Sequence, residues 1–446
     1  MIDGLRPYPE MKPSGLAWLG DVPAHWDVRR IKTLLREVDS RTKTGTERLL
    51  SLRMRQGLVD HIDAGGKLIP SEALVNFKIV EPGQVVMNRM RAAAGLFGVA
   101  GVRGLVSPDY AVFEPKPDAF NPYLLQAFRL PSLSAVFRAE SKGLGTGESG
   151  FLRLYTDRFG PIPVPYPPLD EQRLIVRFLD WHGAQTAKLI RAKQSQLKLV
   201  AEKREALTHD VVSSPETQRI RLGNIVNHIF RGVEREGSTA YTPIGLFNRG
   251  RGIFKKPPAR GADLGDSTFS WIEDGDLILS GQFSWEGAVA LAGVDEAGCI
   301  ASHRYHILRG KEEAIQTIYL SSFLRTSFGH LLLNEHSRGA AGRNRPLNIR
   351  TLLKEKIPVP PLSEQARLIG LVALEKRLAS SIASLADRLR EFRARLIADV
   401  VTGKLDVRTI AAGLPEVLEA EPIEDLTDGD DFDEALEDTE DEEVAA

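Results

Sequence analysis

Apolar positions recur along this chain in two patterns, and each pattern occurs twice. Short apolar runs follow glycine turns at 85–87 (VVM) and 277–279 (LIL), and such runs predict strands. Two long stretches, one in each half, carry helical spacing instead. In the second stretch, apolar residues seven apart predict a coiled-coil helix, although Glu375 interrupts one seam: Leu371, Leu378, Leu385 and Phe392, with Ile382, Leu389 and Leu396. The first stretch is weaker: its seam of Ile175, Leu179, Leu189, Val200 and Leu207 is interrupted by His182, Thr186, Lys193 and Gln196.

An internal repeat organises the chain. The segment IPVPYPPLDEQ at 162–172 returns as IPVPPLSEQ at 357–365, and Pro167 and Pro360 are 193 residues apart. EPGQVVM at 81–87 likewise resembles EDGDLIL at 273–279, and SPDY at 107–110 aligns with SHRY at 302–305. This period is too long for a solenoid repeat and is typical of a duplicated domain.

The repeat predicts an α+β protein with two duplicated α/β domains and two long helices related by an approximate two-fold axis. Each double proline should end the preceding element and open a helix with acidic residues in its first turn. The helices are expected to pair with each other as an antiparallel coiled coil, and the alternative is two ordinary surface helices on separate domains. The predicted segments are a first domain at 1–165, a central helix at 166–213, a second domain at 214–356, a C-terminal helix at 357–405 and a tail at 406–446.

Charge is distributed unevenly along the chain. Residues 411–446 contain 16 of the 60 acidic residues and no Lys or Arg, so the first 410 residues carry 58 basic and 44 acidic side chains, a net charge of +14. A basic body attracts phosphate by counterion release and is typical of a nucleic-acid binder. On charge alone, the alternative is an ordinary solvated surface with a solubilising tail. The tail is too acidic to pack a core and is expected to be disordered.

The composition indicates in which cellular compartment the protein is found. The single cysteine, Cys299, excludes an intrachain disulfide and is interpreted as a core residue. The apolar stretch at 92–102 is shorter than the roughly 20 residues needed to span a bilayer, and the N-terminus has no signal-peptide core. We therefore expect a cytoplasmic protein without a membrane partner.

The opening segment and the proline motifs together resemble a known family. The segment SGLAWLGDVPAHW at 14–26 is similar to the opening of many specificity subunits of type I restriction–modification enzymes. The PPLxEQ motif at 167–172 and 360–365 resembles the start of that family's two helices. The resemblance covers about residues 14–405, and the second half lacks a copy of the opening with Trp18 and Trp26.

The resemblance implies a function and a set of partners. Each variable half would be a target recognition domain for one half of a split double-stranded DNA sequence. The paired helices would set the gap between the half-sites and dock two methyltransferase subunits, and restriction subunits would join to cut unmethylated DNA. S-adenosylmethionine, ATP and Mg²⁺ are expected on the partner subunits, and the chain itself is expected to bind no cofactor or metal.

Arginine is the commonest side chain that recognises guanine, so basic segments are the candidate DNA contacts. Arg89 and Arg91 are two residues apart, which in an extended segment would place them on one face. Two glycine-rich segments flanked by cations, at 142–147 and 338–345, could approach phosphate or be plain flexible turns. The DNA-binding candidates are Arg53, Arg55, Arg89, Arg91, Lys142, Arg249, Arg251, Lys255, Arg338, Arg343 and Arg345. The candidates for partner docking on the spacer helices are Glu171, Gln172, Glu364, Gln365, Leu378, Leu385 and Leu389.

Catalytic motifs are missing from the sequence. Asn121-Pro122-Tyr123 lacks the second proline of an amino-methylating site and is interpreted as a helix start. No glycine-rich segment has the spacing of a nucleotide-binding loop. His303 and His306 would face opposite sides of a strand, which argues against a metal site. Two alternatives stay open: an enzyme acting alone, which the missing motifs disfavour, and a coiled-coil scaffold without DNA, which the basic body disfavours.

Overall fold

A computed structural model describes residues 5–54, 56–143, 152–339 and 345–415. Within these residues the chain forms two compact units. The first unit combines residues 5–190 with 385–415, and the second comprises residues 191–384. The predicted contacts Arg55 and Arg343, most of the two glycine-rich segments, and tail residues 416–446 lie outside the described residues.

The first half of the chain contains twelve described strands and five described helices. The strands are β1 Met11–Pro13, β2 Asp21–Pro23, β3 Asp27–Arg30, β4 Leu35–Val38, β5 Leu50–Arg53, β6 Gly57–Asp60, β7 Lys78–Val80, β8 Val85–Asn88, β9 Phe97–Val99, β10 Gly104–Val106, β11 Tyr110–Pro115 and β12 Pro163–Tyr166. The helices are α1 Ile31–Leu34, α2 Asn121–Phe128, α3 Pro131–Glu140, α4 Thr156–Phe159 and α5 Leu169–Val212.

The second half has a similar order of elements from β13 onward, which corresponds to β3. Its described strands are β13 Gln218–Arg221, β14 Val226–Ile229, β15 Ala240–Tyr241, β16 Ile244–Phe247, β17 Gly252–Lys255, β18 Ala259–Arg260, β19 Phe269–Trp271, β20 Leu277–Ser280, β21 Val289–Leu291, β22 Ile300–Ser302, β23 Tyr305–Gly310 and β24 Lys356–Val359. The helices are α6 Leu222–Ile225, α7 Thr317–Leu324, α8 Ser327–Glu335, α9 Ile349–Leu352, α10 Leu362–Val401 and α11 Arg408–Ala412.

The duplication predicted from the sequence is present in the sheets. The first unit has a four-stranded antiparallel sheet in the order β4-β11-β8-β9, and the second has the corresponding order β14-β23-β20-β21. The predicted strands at 85–87 and 277–279 are confirmed as β8 and β20, which hold corresponding places in the two sheets. In both units a helical pair follows the sheet, α2 and α3 or α7 and α8, and Asn121 begins α2 as expected.

The proline motif forms a strand before it forms a helix. β12 pairs with β3 and β24 pairs with β13, so the residues just before the double prolines are extended. Proline tolerates extended edge positions because it needs no ladder donor there. The helices therefore begin at Leu169 and Leu362, a few residues after the boundaries predicted at 166 and 357.

The long helices α5 and α10 pack together in both units and run antiparallel. In the first unit Glu171, near the start of α5, lies 4.0 Å from Arg408 beyond the end of α10, while further along α5 the His182 ring lies 5.7 Å from that of Phe392. In the second unit Arg204 contacts Glu375, and Val211 and Leu368 share one core.

The contact face of α5 differs from the predicted seam. Leu189 is exposed, whereas Thr186, Arg204 and Thr208 are buried. Of the residues expected to interrupt the seam, Thr186 is therefore buried in it. Thr186 and Thr208 can be buried because each donates its hydroxyl to the carbonyl four residues earlier in the helix. The seam in α10 is closer to the prediction, with Ile382 and Leu396 buried.

The N-terminal and C-terminal segments meet in the core of the first unit. The Asp406 N–H donates to the Arg6 carbonyl at 2.8 Å. Trp26, Val407 and Ala411 are buried in one cluster. Residues 406–415, which the sequence analysis assigned to the tail, thus belong to the packed part of this unit.

Candidate nucleic-acid interface

The loop after the central strand β8 presents Arg91 in the first unit. The Asn88 side-chain oxygen accepts the backbone N–H groups of Met90 at 3.0 Å and Arg91 at 3.2 Å. A short 3-10 turn follows and ends at Gly95, whose φ of +80° favours glycine. The backbone of Arg91 is therefore fixed, while its side chain is exposed and has no partner among the described residues.

Arg53 and Tyr110 lie beside Arg91. Tyr110 stands opposite Asn88 in the pairing of β11 with β8, and Arg53 ends β5 with one guanidinium bond, 2.7 Å, to the Ala64 carbonyl. Burial raises the pKa of the Tyr110 phenol, while the Asn88 hydrogen bond and the charges of Arg53 and Arg91 lower it. The charges of Arg53 and Arg91 thus both act on this phenol.

Arg89 has a different environment from Arg91, so the expectation that both share one face is wrong. Its guanidinium donates to Glu37 at 2.6 Å and is largely buried. The reason is that β8 ends at Asn88, and the turn that follows points the two side chains differently. Arg89 holds the sheet, and Arg91 is available to a ligand.

Lys142 is exposed at the start of the first glycine-rich segment. Its backbone forms an isolated antiparallel bridge with Arg153, with hydrogen bonds of 2.9 and 2.8 Å. Arg153 also lies 3.5 Å from Asp109, the neighbour of Tyr110. The structure therefore brings this predicted cation toward the same loop region as Arg53 and Arg91.

The corresponding loop of the second unit is built in the same way. The Ser280 hydroxyl accepts the N–H groups of Gln282 at 3.3 Å and Phe283 at 3.0 Å. A short 3-10 turn ends at Gly287, again with φ of +80°, and Tyr305 stands opposite Ser280. The scaffold is shared, but Phe283 stands where the first unit has Arg91, and it is half-buried against a core cluster of its unit, whereas Arg91 is exposed.

Three predicted cations of the second unit lie on the β16–β17 hairpin. Arg249 is exposed with φ of +58°, and its N–H donates to the Glu286 carbonyl at 2.8 Å. Arg251 lies over the Phe247 ring at 5.2 Å, and Lys255 is exposed at the end of β17. The hairpin is therefore a basic edge with an aromatic residue next to it.

Arg338 and Arg345 flank the second glycine-rich segment. Arg338 is exposed and donates to the Glu335 carbonyl at 3.2 Å, and Arg345 lies over the Trp285 ring at 4.6 Å. Arg338 also lines an open cavity of about 780 Å³ with Asn348 and Arg350. Both predicted cations stand at the surface of this unit.

The glutamate and glutamine of the first helix motif serve the chain's own core, which corrects their assignment to partner docking. Glu171 is buried and accepts the indole N–H of Trp26 at 3.1 Å, lies 2.7 Å from His25 Nε2, and is bonded by the Tyr8 hydroxyl. Burial and then this bond raise the pKa of Tyr8. Gln172 donates to the Pro167 carbonyl at 2.8 Å.

In the second motif the two residues differ. Gln365 is buried and donates to the Pro360 carbonyl at 2.7 Å, as Gln172 does in the first. Glu364 is half-buried and contacts Arg367 at 2.7 Å. Leu378, Leu385 and Leu389 are half-buried on α10. The motif glutamines thus hold the start of each helix in place. The first helix is held a second time, because Trp26 of the opening segment donates to Glu171.

The sequence analysis missed Tyr110 and Tyr305 as members of the interface. Their signal was present, because SPDY and SHRY align in the repeat and end on the same tyrosine. The histidines proposed as poor metal candidates are placed apart: His303 is exposed, and the ring of His306 lies 5.4 Å from that of His228. None of the helices among the described residues is long and apolar enough to cross a membrane.

Comparisons with known proteins give a family match over part of the chain and a similar fold over most of it. Residues 71–199 match the family model of the type I restriction modification DNA specificity domain. A solved structure described as the basis of complex assembly and conformational transition of the type I R-M system is 17% identical, with a TM-score of 0.56, over 85% of this chain and 98% of that one. No curated protein matches the chain significantly.

Two further solved structures are similar at lower scores. The HsdS subunit from Thermoanaerobacter tengcongensis is 15% identical with a TM-score of 0.43, over 86% of this chain and 98% of that one. The S subunit of a type I restriction-modification system from M. genitalium is 14% identical with a TM-score of 0.41, over 84% of this chain and 96% of that one. The family match and the first of these structures confirm the resemblance found in the sequence: the chain has the fold of the type I R-M structure, and its residues 71–199 match the type I restriction modification DNA specificity domain.

Proposed function

We propose that the protein is the DNA-specificity subunit of a type I restriction–modification complex and that each unit recognises one half of a two-part target. The observation that carries the proposal is the repeated scaffold: the same sheet order and the same loop occur twice, with an exposed Arg91 in one loop and a half-buried Phe283 in the other. A repeated scaffold suits two half-sites, and different side chains suit two different sequences.

The chain would do no chemistry itself. It would direct adenine methylation by two methyltransferase subunits and cleavage by restriction subunits, with S-adenosylmethionine, ATP and Mg²⁺ bound by those partners. Recognition without catalysis fits a surface on which exposed cations lie beside aromatic rings.

Partner docking would use the outer faces of the long helices. Leu189 is exposed on α5 in the first unit, and Leu199, Ile369 and Leu374 are exposed on the helices of the second. Exposed apolar side chains on a helix face are typical of a protein interface. These residues replace Glu171, Gln172 and Gln365 as the docking candidates.

The test is a map of adenine methylation in cells that express the chain with its neighbouring methyltransferase. We expect a two-part, asymmetric methylated motif that host cells without this chain lack. A soluble, assembled complex that adds no motif would contradict the proposal and favour a scaffold. A gel shift across low and moderate salt separates the two further, because phosphate-dependent binding weakens steeply with salt.

A further inference from the structure

The same turn presents a different side chain in each unit. Arg91 follows Asn88 by three residues, and Phe283 follows Ser280 by three, and in both cases the leading side chain accepts the N–H of the presented residue. The chain also returns to this turn in the same way, because Leu154 donates to the Arg89 carbonyl and Leu347 to the Gly281 carbonyl. The backbone at this position is therefore shared.

A second position shows the same exchange. Arg53 ends β5 opposite Gly57, and Phe247 ends β16 opposite Gly252. The tyrosine between the two positions does not change, since Tyr110 and Tyr305 hold the same place opposite the leading residue. At two equivalent positions the first unit thus has arginine where the second unit has phenylalanine, while the neighbouring tyrosine and the backbone are the same.

From this we propose, building on the proposed function, that positions 53 and 91 are the base-specificity determinants of the first unit. Arg53 and Arg91 would donate to the acceptor edge of guanine in the major groove. Phe247 and Phe283, at the same positions of the second unit, would favour apolar contact with thymine methyl groups. Arginine forks fit guanine O6 and N7, and apolar side chains fit the thymine methyl, so the exchange changes which base each unit prefers.

The surroundings of the two arginines favour bases over phosphate. Met54 and Met90, their chain neighbours, are 42% and 43% exposed. A phosphate oxygen offers such side chains nothing to contact, whereas base edges and thymine methyl groups do. The fixed backbone of Arg91 also suits base recognition, which needs a preorganised side chain.

Arg89, two residues before Arg91, differs from it because its side chain is paired within the protein. Its guanidinium is bound by Glu37, and Lys78 lies 4.0 Å from the same carboxylate. It is therefore a positioning residue for the sheet and not a DNA contact. Of the two arginines in this turn, only Arg91 has a side chain without a partner in the described part of the chain.

The test measures the methylated motif of the assembled complex with Arg91→Gln, Arg53→Gln and Phe283→Arg. Each arginine variant should relax one base pair of one half-site, lowering discrimination at that pair by about 10- to 100-fold. The gap and the other half-site should stay the same. Phe283→Arg should change one base preference in the opposite half-site.

Arg103→Gln is the matched control, because it removes one exposed charge of the first unit that is paired with Glu81. It should keep the wild-type motif. The inference is overturned if Arg91→Gln and Arg53→Gln keep the wild-type motif, or if they weaken binding equally for all sequences, as a phosphate contact would. A wild-type complex without a two-part motif would overturn the proposed function itself, which is a different result from an unchanged motif in the variants.

Discussion

Replacing Glu375 by leucine should destabilise the second unit strongly. The Glu375 carboxylate accepts Arg204 Nε at 2.8 Å and lies 3.4 Å from Arg325, and the side chains of Arg204 and Glu375 are only 7% and 13% exposed. Burial lowers the pKa of Arg325, the charge of Arg204 lowers it further, and Glu375 opposes both. Without the carboxylate, the buried Arg204 and the partly buried Arg325 lose their counter-charge. Removing one partner of a buried pair costs about 3–5 kcal/mol.

Amide hydrogen exchange of the full-length protein measures this cost in each unit separately. A loss of 3–5 kcal/mol corresponds to roughly 10²- to 10³-fold faster exchange or more, at about 1.4 kcal/mol per factor of ten. The effect should appear in β20 of the second unit. Exchange in β8 of the first unit serves as the internal reference and should stay near the wild-type rate.

Two further variants separate charge burial from simple loss of contact. Arg204→Met combined with Glu375→Leu removes both charges of the pair and should recover part of the protection, because apolar replacement of a buried pair is often neutral, while Arg325 still lacks its carboxylate partner. Glu391→Gln breaks the exposed pair with Arg395 on the same helix, where the side chains are 63% and 75% exposed, and should change stability by less than about 0.5 kcal/mol. Wild-type exchange in Glu375→Leu, or no recovery in the double variant, would refute the reasoning.

Three other predictions concern the anchor, the histidine pair and the helix surface. Glu171→Gln should free the segment at 5–26 to limited proteolysis, because the amide cannot accept all the donors of Tyr8, His25 and Trp26, whereas Glu364→Gln should not. Burial, and then His228, lower the pKa of His306 to about 4, so between its ordinary 6.5 and 4 the unfolded chain binds more protons. Stability of the second unit should therefore fall as pH drops through that window, and His306→Leu, but not the exposed His303→Leu, should flatten the pH dependence of thermal unfolding. Ile369→Arg with Leu374→Arg should reduce co-purification of the methyltransferase subunits, and unchanged co-purification would exclude this face of the helix as their dock.

Local pattern was enough to predict the repeat, its strands and its helices. A strand after a glycine turn and a helix after a double proline depend on neighbouring residues, and both copies gave the same signal. The helix starts were displaced by a few residues because the prolines of the motif first form an edge strand, β12 or β24. The sequence does not distinguish extended proline before a helix from proline inside its first turn.

Contacts between distant residues were beyond the sequence pattern. Glu375 interrupted one predicted seam, and Arg204 lay in a helix 171 residues earlier, so nothing local showed that the two pair. Arg89 and Arg91 looked alike in the sequence. The difference between them comes from Glu37, 52 residues before Arg89, which binds the guanidinium of Arg89 and leaves that of Arg91 exposed. The same holds for Glu171, whose partners Tyr8 and Trp26 come from the opening segment.

The internal duplication supplies a comparison that a single copy could not. Asn88 and Ser280 differ chemically but accept the two equivalent backbone N–H groups of their turns. The shape of the turn therefore does not depend on which side chain follows at the third position. The equivalent turn keeps its geometry with Phe283, which packs against the core of its unit, so the turn itself does not need a guanidinium group. Arg91 is exposed at the same place of the first turn, and a contact outside the chain explains it best.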